Sequence, residues 1–228
     1  KKCKVIPIEM VVRGYITGST NTSLWTLYQK GEWDFGDFTL PYSLKKNQKL
    51  PQAVVTPTTK SDEHDRPISG KQAVAEGILD QTTWDKVADT SLKLFARGQK
   101  IAESKGLILV DTKYEFGLTN EGSLMLIDEI HTPDSSRYWK LDNYQQRFDA
   151  GQEPEYFDKE FLRLWFKERC DPYKDEVLPK APDDMIAELA HRYIQIYEQI
   201  TGEKFETDLN TPILERIEKN LASYNLKS

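Results

Sequence analysis

The stretch Gly106–Trp139, GLILVDTKYEFGLTNEGSLMLIDEIHTPDSSRYW, decides the fold. It reads as two strands around a tight turn. Leu107-Ile108-Leu109-Val110 has the character of a buried strand, and beyond it Asp111, Lys113 and Glu115 recur at every second position. Alternation along a strand puts those three side chains on one face. A connection from Gly117 to Gly122, with Asn120 and Gly122 as turn formers, leads into Leu124-Met125-Leu126-Ile127 and then into the acids Asp128-Glu129. Unpaired charge is costly to bury, so such groups pair with one another, with a metal or with a charged ligand. An antiparallel hairpin with one solvated face accounts for the same pattern and stays open at this point. Two features favour a site. The charges cluster where strands this apolar are expected to be covered. The second strand also runs into Thr132-Pro133-Asp134-Ser135-Ser136-Arg137, small hydroxyl residues beside a guanidinium, a set suited to phosphate or carboxylate. Hard oxygen donors on neighbouring strands, with no Cys and little His nearby, favour magnesium over zinc.

Outward from this hairpin the chain alternates helices with loops. Ser23–Lys30 is a short helix stopped by Gly31, and Glu32–Thr59, with Pro41, Pro51 and Pro57, reads as a long loop with short extended pieces. Ser69–Asp80 is helix-like and broken near Gly77. Trp84–Lys105, capped by Thr82 or Thr83 and ended by Gly106, is a core-packing helix. Tyr138–Pro154 reads as a polar loop. A helix is expected from Glu155, with Phe157, Phe161, Leu164 and Trp165 on its apolar face and Lys159 and Arg163 opposite. Pro182–Gln199 is amphipathic, and Thr211-Pro212 opens a last helix over Ile213–Tyr224.

Composition bounds the partners. The 228 residues include 31 basic and 37 acidic side chains, a net charge of −6, and no basic stripe, which argues against nucleic-acid binding by bulk electrostatics. Small anionic ligands remain, since they need only a few local Arg and Lys. The two cysteines, Cys3 and Cys170, form no framework and fit a reducing compartment. There is no signal peptide and no apolar run of membrane length, so a cytoplasmic protein without a membrane partner is expected.

DTKYEFG followed after a hairpin by IDEIHTPDSSRYW resembles the signature of the phosphoribosylaminoimidazole-succinocarboxamide synthase (SAICAR synthetase) family, and IPIEMVVRGYITGS at Ile6–Ser19 resembles that family's substrate-phosphate motif. From spacing alone, Arg13 to Ser19 reads more readily as a surface turn with an arginine, and it is the resemblance that favours a phosphate site. The resemblance spans roughly Val5–Gly202 and implies an α+β fold, an antiparallel sheet flanked by helices, forming the larger C-terminal part of a two-lobed ATP-binding protein. Residues 1–202 are the catalytic and substrate-binding region, and 203–228 a helical extension. Lys1–Lys4 lead at once into a strand, and nothing matches the family's glycine-and-lysine turn over the ATP phosphates, so the chain reads as the family without its N-terminal lobe. The implied reaction joins L-aspartate to the carboxylate of carboxyaminoimidazole ribonucleotide, with ATP as co-substrate and Mg2+. Arg13, Ser19 and Arg137 would hold the ribonucleotide phosphate, Ser136 would sit in the same turn, and Asp134 would take a ribose hydroxyl. Lys113 would offset charge at the reacting group, and Glu115 and Asp128 would carry magnesium and ATP. Asp111 is open between orienting Lys113 and touching a ligand. Lys60 and Asp65 are candidates for nucleotide or amino acid, Lys159 for an anionic substrate, and His64 beside Asp65 is either a proton-transfer pair or an exposed histidine. Two other readings compete: a substrate-binding fragment without turnover, and a kinase-like phosphotransferase.

Overall fold

The computed structural model describes residues 2–60, 66–157, 159–171 and 174–224. In chain order these residues form β1 (Lys4–Ile16), α1 (Leu24–Gln29), β2 (Gln48–Val55), β3 (Thr58–Thr59), α2 (Gly70–Ala75), α3 (Gln81–Ser104), β4 (Leu107–Leu118), β5 (Leu124–Leu126), β6 (Ser136–Lys140), α4 (Tyr144–Asp149), α5 (Glu160–Lys167), α6 (Asp183–Thr201) and α7 (Ile213–Leu221). The strands make one sheet in the order β2-β1-β4-β5, with β3 paired to β1 and β6 paired to β4. Every pairing is antiparallel, so the fold is α+β as expected.

β1 and β4 are the spine, and they pair with Met10 opposite Tyr114 and Val12 opposite Thr112. One face of the pair carries Ile8, Met10, Val12, Tyr114 and Phe116, all buried against Val87, Phe95 and Ala102 of α3. Alternation then sends Glu9, Val11 and Arg13 of β1, with Asp111, Lys113 and Glu115 of β4, to the other face. The alternation is not continuous along β4. Leu107 and Leu109 belong to the α3 core together with Tyr114 and Phe116, an odd-to-even switch, and the β4–β6 pairing shifts between Leu109 and Asp111. That bulge turns Asp111 away from the core. A second shift lies between Arg13 and Tyr15 of β1, after which Tyr15 joins Ile108, Val110, Trp139 and Tyr144 in a separate aromatic cluster.

Several boundaries differ from the sequence expectations. The loop expected over Glu32–Thr59 contains an eight-residue strand, β2. Pro51 argued against a strand, but β2 is an edge, where a missing N–H is tolerated. Tyr138–Pro154 is not a polar loop: Tyr138 and Trp139 end β6 fully buried, and Tyr144 of α4 stacks on Trp139 at 5.6 Å between ring centroids. The cap of α3 is Asp80, whose carboxylate accepts from Thr83 N at 2.9 Å, so the helix starts ahead of Thr82 and Thr83. The helix expected from Glu155 begins at Glu160. No helix among the described residues is long and apolar enough to cross a membrane.

Phe95 anchors α3 at zero exposure. Phe95→Ala is expected to lower unfolding stability by about 3–5 kcal/mol, read by urea denaturation, because it removes a large buried side chain and leaves a cavity between α3 and the sheet.

Candidate active site

The polar face of the sheet is organised by one buried carboxylate. Arg13 of β1 lies opposite Asp111 of β4, and Asp111 lies opposite Arg137 of β6. Arg137 Nε donates to both carboxylate oxygens at 2.9 and 3.0 Å, and its Nη2 also donates to Oδ2. Arg13 Nη1 reaches Oδ2 at 3.5 Å while its Nε donates to Thr56 Oγ1 at 2.8 Å. Asp111 is 6% exposed. Burial pulls Arg13 down to about 10, with Asp111 opposing the shift and Arg137 adding to it, so the guanidinium remains charged near neutral pH. Two guanidinia thus converge on one carboxylate, a donor-rich arrangement that suits an anionic ligand. Asp111 therefore orients the two arginines, not Lys113.

These residues wall a cleft of about 280 Å³. Among the described residues its lining carries five cations (Arg13, Lys113, Arg137, Lys159, Arg163) and three carboxylates (Asp111, Asp134, Glu160), in a chain whose net charge is −6. Six hydroxyl side chains, among them Ser19, Ser135 and Ser136, share the lining. The turn from β1 is made by Gly18, at φ 110°, where an added Cβ would stand 2.4 Å from Ser23 Cβ and 3.2 Å from Arg137 Nη1. Only a glycine lets the backbone at position 18 pass so close to Ser23 and Arg137. Ser19 Oγ donates to Glu160 Oε1 at 2.6 Å, and Glu160, 4% exposed, also accepts from Arg163 at 2.8 Å. No helix begins at Ser19; α1 begins at Leu24. Ser136 is buried, its hydroxyl 2.8 Å from Thr112 Oγ1. Lys159 Nζ donates to Asp134 Oδ1 at 2.5 Å, a bond that heads the causes holding Asp134 below the usual carboxylate range.

Beside the cleft a second row continues along the same face. Glu9 and Glu115 are direct cross-strand partners. Like charges so placed repel, and each is covered by a lysine: Lys113 Nζ donates to Glu9 at 2.9 Å, and Lys60 pairs with Glu115. Burial works against the Lys113 ammonium, but the Glu9 bond and the charges of Glu9, Glu115 and Asp128 outweigh it and hold Lys113 above the ordinary lysine range. Asp128 is exposed and lies beyond the end of β5, so it is a loop residue and not a strand residue. Among the described residues no group of three or more His, Cys, Asp or Glu is placed to hold a metal ion. Glu115 and Asp128 thus offer a sparse oxygen set, which fits magnesium that keeps waters and phosphate oxygens and does not fit an all-protein cage.

The cleft brings together Arg13, Ser19, Lys113, Asp134, Ser136, Arg137 and Lys159. Lys60, Glu115 and Asp128 lie outside its lining, and Asp65 and His64 fall outside the described residues. Two acids were missed by sequence reasoning. Glu9 was legible from strand alternation, since it shares a face with Arg13. Glu160 had no such signal: a buried acid in DKEFLR looks like any helix-surface acid. A larger groove of about 470 Å³ shares Arg13 with the cleft, and among the described residues its lining balances Arg13 and Lys71 with Glu32 and Asp34.

A hydroxyl-rich cleft lined by arginines and lysines, beside a row of acids and lysines on one face of an antiparallel sheet, has the chemistry of a site for a small phosphorylated ligand. A family model described as SAICAR synthetase matches residues 1–180, and the chain belongs to that family. It is 61% identical over 222 residues to a phosphoribosylaminoimidazole-succinocarboxamide synthase of Legionella pneumophila (strain Paris), covering 97% of this chain and 71% of the relative. A chloroplastic enzyme of the same name from Arabidopsis thaliana is 56% identical, with 96% and 54% covered. The solved structure of SAICAR-synthase from Saccharomyces cerevisiae complexed with SAICAR superposes with a TM-score of 0.71 at 34% identity, covering 90% of this chain and 64% of that one. The chain therefore spans between about half and about seven tenths of these proteins.

Asp111→Asn removes the charge that two buried arginines share. It is expected to cost about 3–5 kcal/mol of unfolding stability in guanidinium titrations, far more than an exposed ion pair such as Lys93–Asp89 is worth.

Proposed function

We propose that this chain is the catalytic core of an ATP-dependent amide-forming ligase of purine biosynthesis, joining L-aspartate to the carboxylate of carboxyaminoimidazole ribonucleotide to give SAICAR. The observation that carries the reading is the adjacency, on one sheet face, of the Arg13–Asp111–Arg137 row and the Glu9, Lys113 and Glu115 row. The first suits a sugar phosphate, and the second suits a reacting carboxylate and the phosphates of ATP.

A carboxylate does not accept an amine directly, because its leaving group would be oxide. In the proposed sequence a carboxylate oxygen of the ribonucleotide attacks the γ-phosphorus of ATP and ADP leaves. The amine of aspartate then attacks the acyl carbon, and inorganic phosphate leaves as the amide nitrogen loses a proton. Arg13 and Arg137 grip the ribonucleotide phosphate with charge-assisted, geometrically fixed bonds, and Ser19 adds a hydroxyl. Asp134 takes a ribose hydroxyl, with Lys159 fixing its carboxylate. Lys113, cationic and held between Glu9 and the cleft, stabilises negative charge at the reacting carboxylate. Glu115 and Asp128 are the residues that would hold magnesium, whose charge counters that of the crowded phosphates. Lys60, now on Glu115, is placed to meet nucleotide or amino acid when that acid is engaged elsewhere. Cys3 and Cys170, neither of them in a disulfide, fit a cytoplasmic setting.

Two variants of the full-length protein test this. Asp128→Asn is expected to abolish magnesium-dependent, aspartate-dependent ADP release while circular dichroism and the urea midpoint stay unchanged. Arg137→Gln is expected to raise the half-saturating ribonucleotide concentration about 10–100-fold, the loss of a charge-assisted bond. Turnover by the unaltered protein that is indifferent to aspartate would overturn the ligase reading.

A further inference from the structure

The segment between β5 and β6 leaves and rejoins β4 almost at one point. Ile127 N donates to Glu115 O at 3.0 Å on the way out, and Lys113 N donates to Ser135 O at 3.2 Å on the return. Tyr114 sits between those two ties, and its hydroxyl lies 2.6 Å from Nε2 of His131, midway along the segment. Two further contacts hold the histidine. Tyr138 Oη donates to His131 O at 2.7 Å, and the imidazole fills the hollow above Gly98 of α3, where an added Cβ would stand 2.3 Å from His131 Cε1. The backbone at His131 has φ 57°, a left-handed conformation uncommon for a non-glycine residue though better tolerated by histidine than by most. Burial drives His131 down to about 4, so the ring is neutral near pH 7.

The acids on either side of this histidine converge on one group. Asp128, three residues before, is among the charges that hold Lys113 cationic, and Asp134, three residues after, is held down in part by Lys113. We propose that His131 is a positioning residue: pinned by Tyr114, Tyr138 and the hollow at Gly98, it fixes the 127–135 segment so that Asp128 and Asp134 both stand beside Lys113. The inference rests on the ligase reading for what those acids do, but the pin itself is a property of the fold. The phosphate-gripping row does not depend on it, because Arg13, Asp111 and Arg137 are held by strand pairing.

Tyr114→Phe deletes the hydroxyl and keeps the core ring; Gly98→Ala displaces the imidazole from the opposite side. Both are examined in the full-length protein by hydrogen-exchange mass spectrometry and by kinetics. The expected result is exchange across 127–135 accelerated by about five- to tenfold, the worth of one neutral hydrogen bond, with β1 and β4 protection unchanged. The rate constant kcat is expected to fall by a similar factor, and half-saturation by the ribonucleotide to rise by less than the change expected of Arg137→Gln, because Asp134 loosens while the arginine row stays held. The double variant Tyr114→Phe with His131→Asn is expected to be no worse than His131→Asn alone, as for two members of one interaction. Unchanged exchange in 127–135 in both single variants overturns the pin. So does a parallel loss of protection in β1 and β4, which marks a merely structural role. Absence of aspartate-dependent turnover in the unaltered protein sinks the ligase reading instead, and the exchange measurements still decide the pin.

Discussion

Asp111 is the residue on which the site depends. Its carboxylate is nearly sealed from solvent and is shared by guanidinia that arrive from positions 13 and 137, nearly a hundred residues before it and some two dozen after it. Bringing one carboxylate and two guanidinia out of water is expensive, and Arg137 offsets the cost by bonding both carboxylate oxygens while Arg13 divides its donors between Asp111 and Thr56. The strand order that puts β4 between β1 and β6 is what makes that geometry available. The two guanidinia are then fixed in place before any ligand arrives, so a bound phosphate meets donors that are already oriented.

The neighbouring row works by the opposite arrangement. Glu9 and Glu115 face one another across the β1–β4 pair, and two lysines neutralise them one for one. The first row is held by strand backbone on three sides. The second relies on a loop for Asp128 and on a long, half-exposed side chain for Lys60. Rigidity therefore falls along the face from the phosphate end to the acidic end. Binding and chemistry commonly divide in this way, with a firm grip on the part of the substrate that does not react.

Much of this was readable in the amino-acid string, and the failures have physical causes. Asp111, Lys113 and Glu115 at alternate positions are a strand signal that tertiary packing does not override, and Arg13, Ser19, Arg137 and Asp134 stood in motifs whose residue types suit a phosphorylated ligand. β2 was hidden by Pro51, because edge or centre is a tertiary property that composition does not carry. Trp139 and Tyr144 were hidden among Asp, Asn and Gln, whose polarity outweighed two aromatics that pack on Tyr15. The partner of Asp111 was not legible either. The sequence leaves it open between orienting Lys113, two residues along, and touching a ligand, whereas the arginines it holds come from other strands. Asp128, read as strand, is loop, since β5 stops at Leu126.

The bulge between Leu109 and Asp111 acts as a phase shift of one residue, and its consequence reaches beyond the site. Because side chains alternate with a period of two, adding or deleting a single residue there would turn the rest of β4 inside out, sending Lys113 toward α3 and Tyr114 toward the cleft. The turn at Thr119–Gly122, only eight residues further on, has no such constraint and tolerates length changes as surface connections do. Insertions and deletions in this strand are thus filtered by position, barred at the phase shift and admitted at the turn.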